Sequence, residues 1–220
     1  MKRKYEKNIF VYLIMFLAIL LVFVETRING KAQECKNAYE VFFEKRLYEG
    51  DFDYLDDVHY EYVYIDDDNI PELLLADGNF HVSRVALYYY NEEIKQVEFL
   101  ASFSSFGQMR YIPKENKIIS QYGNHGYYHE VYSKIEDGKI ELLNVFLLDG
   151  SKEEHKYYGG FPVAQDFTGG YGKPNSAENI FETLPEVTEE YRISEEEYKS
   201  LKGEFDKGSV KITYDEMQKL

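Results

Sequence analysis

Only one cysteine, Cys35, occurs in the chain, so no intramolecular disulfide can form and the fold must stand without a covalent staple. Tryptophan is absent, which removes the strongest of the sugar-stacking side chains. The signatures G-x-S-x-G, H-E-x-x-H, the P-loop and G-x-G-x-x-G are all missing. Nucleophile-elbow, zincin and nucleotide-binding chemistries therefore have no motif to rest on. Basic charge is scarce beyond the first thirty residues, where 20 Lys and Arg face 38 Asp and Glu, a net of −18. A field of that sign repels phosphates, so nucleic acid and peripheral contact with anionic lipid are disfavoured as partners, while cationic partners and divalent cations are favoured.

What is present is aromatic. There are 22 Tyr and 15 Phe, and hydrophobic residues make up 44% of the chain, well above an acidic disordered tail. About 190 residues beyond the apolar N-terminal segment suffice to bury about 70% of the surface an unfolded chain exposes.

Residues 1–30 invert the charge, with five basic residues against two acidic ones, a net of +3. Ile9 to Val24 is an unbroken apolar run behind the basic cluster Lys2, Arg3, Lys4 and Lys7. The stretch between Lys7 and Arg27 makes a helix of roughly 28 Å, close to a thin hydrocarbon core. The positive-inside bias places residues 1–8 as a cytoplasmic tail, 9–26 as a transmembrane or signal segment, and 33–220 as an extracytoplasmic domain. Gly30-Lys31-Ala32 offers an alternative, cleavage to a secreted protein. Ala32-Gln33-Glu34 ahead of Cys35 lacks the small apolar residues of a lipobox.

The domain changes period twice. Tyr39, Phe42, Phe43 and Leu47 recur at three and four, predicting a helix over residues 33–48. From Val58 the period is two: residues 58–65, 73–76, 85–90, 97–103, 118–122, 129–135 and 140–148 read as strands. Asp-Gly at 77–78, 137–138 and 149–150 signals tight hairpins, most clearly between Glu136 and Lys139. Residues 157–172 are dense in Tyr and Gly without periodicity. Ser194 to Glu197 forms a capping box for a helix reaching about Asp206. The predicted class is α+β: a mainly antiparallel β meander with an N-terminal and a C-terminal helix, behind one transmembrane helix.

One stretch carries chemistry. In Tyr64-Ile65-Asp66-Asp67-Asp68-Asn69-Ile70-Pro71-Glu72-Leu73, alternate acids match a calcium loop, with Asp66 at position three, Asp68 at five, the Ile70 carbonyl at seven and Glu72 at nine. The same residues read equally as an acidic turn between two strands. The stretch resembles the D-x-D-x-D-G-I-P-E-L motif of exported proteins and lipoproteins of Gram-positive, particularly gut, bacteria. Asp66, Asp68, Ile70, Pro71, Glu72 and Leu73 carry the match. The order of helix, motif, hairpins and late Ser-Glu-Glu-Glu-Tyr helix is similar over residues 35–206. The resemblance implies a surface or secreted β-rich domain of unassigned function, with Ca2+ as a candidate stabilising ion. Tyr64 stands where the motif has its first Asp, and Asn69 where it has Gly.

Tyr127, Tyr128, Tyr157 and Tyr158 are candidates for a sugar-stacking surface, alongside Tyr88 to Tyr90, although tyrosine on a half-buried strand is also ordinary β propensity. His125 and His129, read on one strand, share a face and could offer two ligands to a metal with a third from elsewhere, or stand simply as a satisfied or exposed pair; Gly126 argues against zincin geometry. The functional expectation is an anchored extracytoplasmic binding or structural domain contacting an envelope glycan or protein. The alternatives are a glycan or peptidoglycan hydrolase using Asp166 or acids near His125, and a membrane-tethered sensor or assembly partner.

Overall fold

The computed structural model describes residues 2–49, 57–80, 83–104, 106–136, 139–151, 155–159, 166–167 and 189–220. The side chains of residues 2–15 and a scatter of others lie outside the described set. Helix α1 runs without a break from Lys2 to Glu49. The segment expected over 9–26 and the helix expected from residue 33 are thus joined: Gly30 lies inside one continuous helix, with open space around it. Among the described residues the strands are β1 (Val58–Val63), β2 (Glu72–Asp77), β3 (Val85–Asn91), β4 (Gln96–Phe103), β5 (Met109–Ile112), β6 (Lys117–Asn124), β7 (Tyr127–Glu136), β8 (Lys139–Asp149), β9 (Lys156–Tyr158), β10 (Asp166–Phe167), β11 (Arg192–Ile193), β12 (Val210–Ile212) and β13 (Gln218–Lys219). Helix α2 spans Glu195–Phe205, and its N-cap Ser194 accepts a hydrogen bond from the Glu197 N–H.

The fold is β-rich, and its strands form two antiparallel sheets rather than one meander. The first has the order β13-β1-β2-β3-β4 and the second β11-β9-β8-β7-β6-β5-β12, with β10 beside β8. The division falls between β4 and β5. There Ser104, Phe106 and Gly107 all take positive φ, at 58° each, and turn the chain out of the first sheet. The two sheets bury one cluster between them. Val63, Leu74, Leu87 and Phe103 on the first face Met109, Ile118, Val131 and Leu147 on the second.

Each sheet is covered on its outer face by a helix, giving four layers. Cys35, Tyr39 and Phe43 recur every four residues on α1 and are buried against Leu73, Leu75 and Tyr88. The tyrosines of the first sheet serve this contact: Tyr39 lies on Tyr62 at 5.7 Å between ring centroids, Phe43 on Tyr60 at 5.0 Å, and Phe42 on Tyr88 at 4.8 Å. On the second sheet Tyr198 and Phe205 of α2 pack edge-on to Phe146. The period-two patterning is blurred in β2 and β3 because both faces are covered.

The C-terminal residues tie the sheets together. β12 pairs with β5 of the second sheet and β13 with β1 of the first. Between them Tyr214 stacks on His59 at 3.9 Å and donates to the Asp57 carbonyl at 2.8 Å.

Alternating strand directions sort the turns to two ends. At one end stand the loop from Tyr64 to Pro71 and the β3–β4, β5–β6 and β7–β8 connections. Their contacts include Lys114 N–H on the Tyr64 carbonyl (3.1 Å), Asn116 N–H on that of Ile65 (2.8 Å) and Ile135 N–H on that of Asn116 (2.7 Å). The β4–β5 and β6–β7 turns occupy the other end, where Gly150 N–H meets the Gly126 carbonyl at 2.7 Å. Of the predicted Asp-Gly hairpins, the one at 137–138 lies outside the described residues, although its flanks Glu136 and Lys139 pair. The one at 77–78 opens a longer connection instead, since β3 begins only at Val85.

The run Ile9–Val24 lies within α1, mostly among residues whose side chains are not described. Among the described residues no helix is long and apolar enough to cross a membrane. The side chains that are described there, Phe16, Leu17, Ile19, Leu20, Leu21 and Val24, are all exposed.

Candidate functional site

The loop from Tyr64 to Glu72 is where three layers meet. The Pro71 carbonyl accepts from Tyr39 Oη at 3.0 Å and from Cys35 Sγ at 3.5 Å, which fixes α1 to the loop. Lys114 Nζ donates to Asn69 Oδ1 at 3.0 Å from the β5–β6 turn of the second sheet. Asn69 takes φ 64°, the left-handed conformation that its position requires and that Asn tolerates. Ile70 is buried and Tyr64 exposed.

The acids are not gathered around one centre. Asp66 Oδ1 accepts from the Asp68 N–H at 3.0 Å, and Asp68 Oδ1 from the Ile70 N–H at 2.6 Å. Both carboxylates thus brace the loop's own backbone. Glu72 turns inward between the sheets, where Oε2 accepts from the Ile65 N–H at 2.8 Å and the residue is 7% exposed. It lines a cavity of about 200 Å³ with Asp66, Tyr89 and Asn116. Among the described residues no group of three or more His, Cys, Asp or Glu side chains is arranged to hold a metal ion.

Proton affinities follow from this geometry. Burial raises the Glu72 carboxyl from its ordinary 4.5 to about 8, and the Ile65 N–H offsets only part of the cost. Asp68 is exposed as a residue, but its carboxyl folds back over the loop. That desolvation, with a hydrogen bond to the Asp66 carboxyl, raises it from 3.8 to about 7. Burial likewise raises the Cys35 thiol to about 12, so it is held protonated and unreactive.

At the opposite end lies a groove of about 430 Å³, lined by Phe106, Gln108, Gln121, Tyr122, Gly123, His125, Tyr128, His129 and Glu130. It exists because β5 is shorter than β6. Pairing between them stops at Arg110–Ile119. Beyond that point Ser104 N–H bonds Ser120 Oγ and Gln121 N–H bonds Ser104 Oγ, each at 2.9 Å, in place of a strand. The edge of β6 then stands between the Phe106 loop and the β6–β7 hairpin.

That hairpin corrects the reading of the two histidines. Asn124 pairs with Tyr127, so His125 and Gly126 are the two turn residues, at φ 49° and 88°. A Cβ at Gly126 would lie 2.9 Å from the Ser151 backbone, which restricts the position to glycine. His125 is exposed in the turn, whereas His129 is half-buried on β7, opposite Tyr122, where burial holds it below the usual imidazole range. Both line the groove without sharing a strand face.

The four candidate tyrosines separate. Tyr127 and Tyr128 are exposed beside the groove. Tyr157 lies in the same cross-strand row as Tyr128, through Leu148, but packs on Tyr198 at 5.2 Å. Tyr158 is buried in the inter-sheet core and donates to Glu189 Oε1 at 3.1 Å. Asp166 lies on β10, with its side chain outside the described residues, as is most of 157–172. Glu130 is the groove's one carboxylate among the described residues.

Sequence reasoning missed Phe106, Gln108 and Gln121, which reach the groove only because β5 ends early. It also missed the charge network on the groove's flank. Lys202 bridges Glu130 Oε2 at 2.8 Å and Asp206 Oδ2 at 2.6 Å. Arg110 meets Asp206 Oδ1 at 2.8 Å, and Tyr132 Oη donates to the same oxygen at 2.5 Å. Two cations and two anions cancel, so this cluster holds α2 to the sheet and leaves little field over the groove.

Comparison with protein-family models, with curated proteins and with solved structures returned no match.

Glu72 generates a pH test. The folded chain retains a proton that the unfolded chain releases from about pH 4.5, so the stability it contributes is complete below that pH and is lost as pH rises towards 8. Glu72→Gln keeps an acceptor for the Ile65 N–H without the ionisation. Thermal unfolding of the chain should show the variant gaining on the wild type between pH 5 and pH 8, by on the order of a few kcal/mol. Parallel profiles would mean that Glu72 ionises at its ordinary pH in the fold.

Proposed function

We propose that the chain is a membrane-anchored extracytoplasmic binding domain that presents the groove at its far end to a glycan of the cell envelope. The observation that carries the reading is the continuity of α1. One helix holds both the apolar run and, from Cys35 onward, a stripe buried on the first sheet. The contrast along it is sharp. Phe16, Leu17, Ile19, Leu20, Leu21 and Val24 are exposed around much of the helix, whereas Cys35, Tyr39 and Phe43 are buried. A run that is apolar throughout, with its described side chains uncovered by protein, suits a bilayer, and the basic residues before it orient the domain outward. The resemblance of the Asp66–Leu73 stretch to exported proteins of Gram-positive bacteria supports the same placement.

The groove supplies what a glycan site needs. The Phe106 and Tyr128 rings are exposed at the groove, where C–H faces could stack, and Gln108 and the exposed His125 line it with groups that can read hydroxyls, while Gln121 Nε2 donates to Glu130.

Topology is tested in cells that express the full chain. The protein should remain in membranes washed with alkaline carbonate, and Tyr128→Cys should be labelled from outside by an impermeant maleimide while the buried Cys35 stays silent. Release by carbonate, or labelling only after lysis, would overturn the placement. Binding is tested by co-sedimentation of the detergent-solubilised protein with purified peptidoglycan sacculi. Retention should be lost in Phe106→Ala/Tyr128→Ala, both positions being exposed. A wild-type protein that stays in the supernatant would sink the glycan reading.

Calcium belongs to the proposal at the Asp66–Glu72 loop. Its support is the spacing of Asp66, Asp68, the Ile70 carbonyl and Glu72 along the loop, which matches that of a calcium loop. Capture of the ion by the full ligand set would require Glu72 to leave the Ile65 N–H. After EDTA treatment, calcium at 100 times its dissociation constant should stabilise the fold by about 2.7 kcal/mol, and Asp68→Ala should abolish the rise. No rise at millimolar calcium would leave the loop an acidic turn.

A further inference from the structure

We infer that the β3–β4 hairpin is a second membrane contact, seated with Ile94 in the interfacial layer of the bilayer that holds α1. The inference rests on the anchored reading above. Three observations carry it beyond that reading.

The first is the position of the hairpin along α1. Lys31 pairs with Glu92, Glu34 pairs with Lys95, and Tyr90 Oη donates to Glu34 Oε1 at 3.2 Å. These contacts fall five to eight residues past Thr26, about 7–12 Å along the helix from the end of the apolar segment. The polar layer of a bilayer is about 5–7 Å deep on each side, so the turn stands at its outer margin.

Direction is the second. Farther along α1, Phe42 and Arg46 meet Tyr88, which precedes Tyr90 on β3. The helix therefore runs away from the hairpin tip as the strands do, and the tip points back towards the apolar segment.

The third is the tip itself. Ile94 is 51% exposed at the apex, in a turn held by Asn91 Oδ1, which accepts from the Glu93 N–H at 3.0 Å. Lys95 beside it takes φ 54°. An apolar side chain at the apex of a braced turn, with a lysine next to it, suits the boundary between headgroups and acyl chains. Among the charges at this end, Glu92 and Lys95 are neutralised by α1, while Glu93 and the Asp66–Asp68 loop are acidic. The matching surface is therefore zwitterionic rather than anionic.

The test uses the full chain in phosphatidylcholine vesicles, with an environment-sensitive fluorophore on Ile94→Cys, Phe16→Cys or Tyr128→Cys. Cys35 is buried and does not compete. The Ile94 label should emit to the blue of the Tyr128 label, and a nitroxide near the headgroup should quench it about twofold more. Phe16 should be quenched by a nitroxide deep in the acyl chain. Quenching at Phe16 without quenching at Ile94 would overturn the inference while leaving the anchor intact. Quenching at neither position would overturn the anchor, and the inference with it.

Discussion

The Pro71 carbonyl and the Glu72 carboxyl, adjacent on the chain, hold the layers in register. One accepts hydrogen bonds from α1, through Tyr39 and Cys35, and the other accepts from Ile65 at the start of the same loop. Each bond contributes about 1 kcal/mol, but the greater constraint is what their loss would leave behind. A carbonyl and a carboxyl without partners inside a four-layer stack would each cost more than the bond was worth. The loop must therefore keep its path, which fixes where β2 begins and where α1 crosses the first sheet. Asn116 and Lys114 extend the same constraint to the second sheet.

This explains why a charged motif, written like a solvated turn, lies at the most constrained point in the fold. Its aspartates hold backbone amides and its glutamate faces the core, so the acids act first as structural acceptors. The cost is a raised proton affinity at Asp68 and Glu72.

Much of the architecture was legible in the sequence because it is local. The strands of residues 58–65, 85–90 and 97–103, and the Ser194 cap, rest on period and on short-range hydrogen bonds. What was hidden depends on distant partners. Nothing local announces that β4 and β5 belong to different sheets, since Ser104 and Phe106 are not usual residues for positive φ. β12 and β13 are too short to show a period and become strands only because β5 and β1 have open edges. Residues 27–32 fall between the two expected segments, yet the helix continues through them, held at its far end by Tyr39 and Phe43. The candidate site divides the same way. The acidic loop was visible as a motif, whereas the groove is made by a strand that stops short.

The continuity of α1 has a mechanical consequence for the proposed anchor. A flexible linker would let the domain tumble and would present the groove in every direction, whereas an unbroken helix transmits its own orientation to the first sheet. The sheets run from the loop end to the groove end, and β6 alone, at about 3.3 Å per residue over Lys117–Asn124, separates them by roughly 25 Å. In the proposed placement, a groove held that far from the apolar segment would face away from the bilayer. Extended envelope polymers would lie in that direction, and a rigid helix would keep the groove turned towards them.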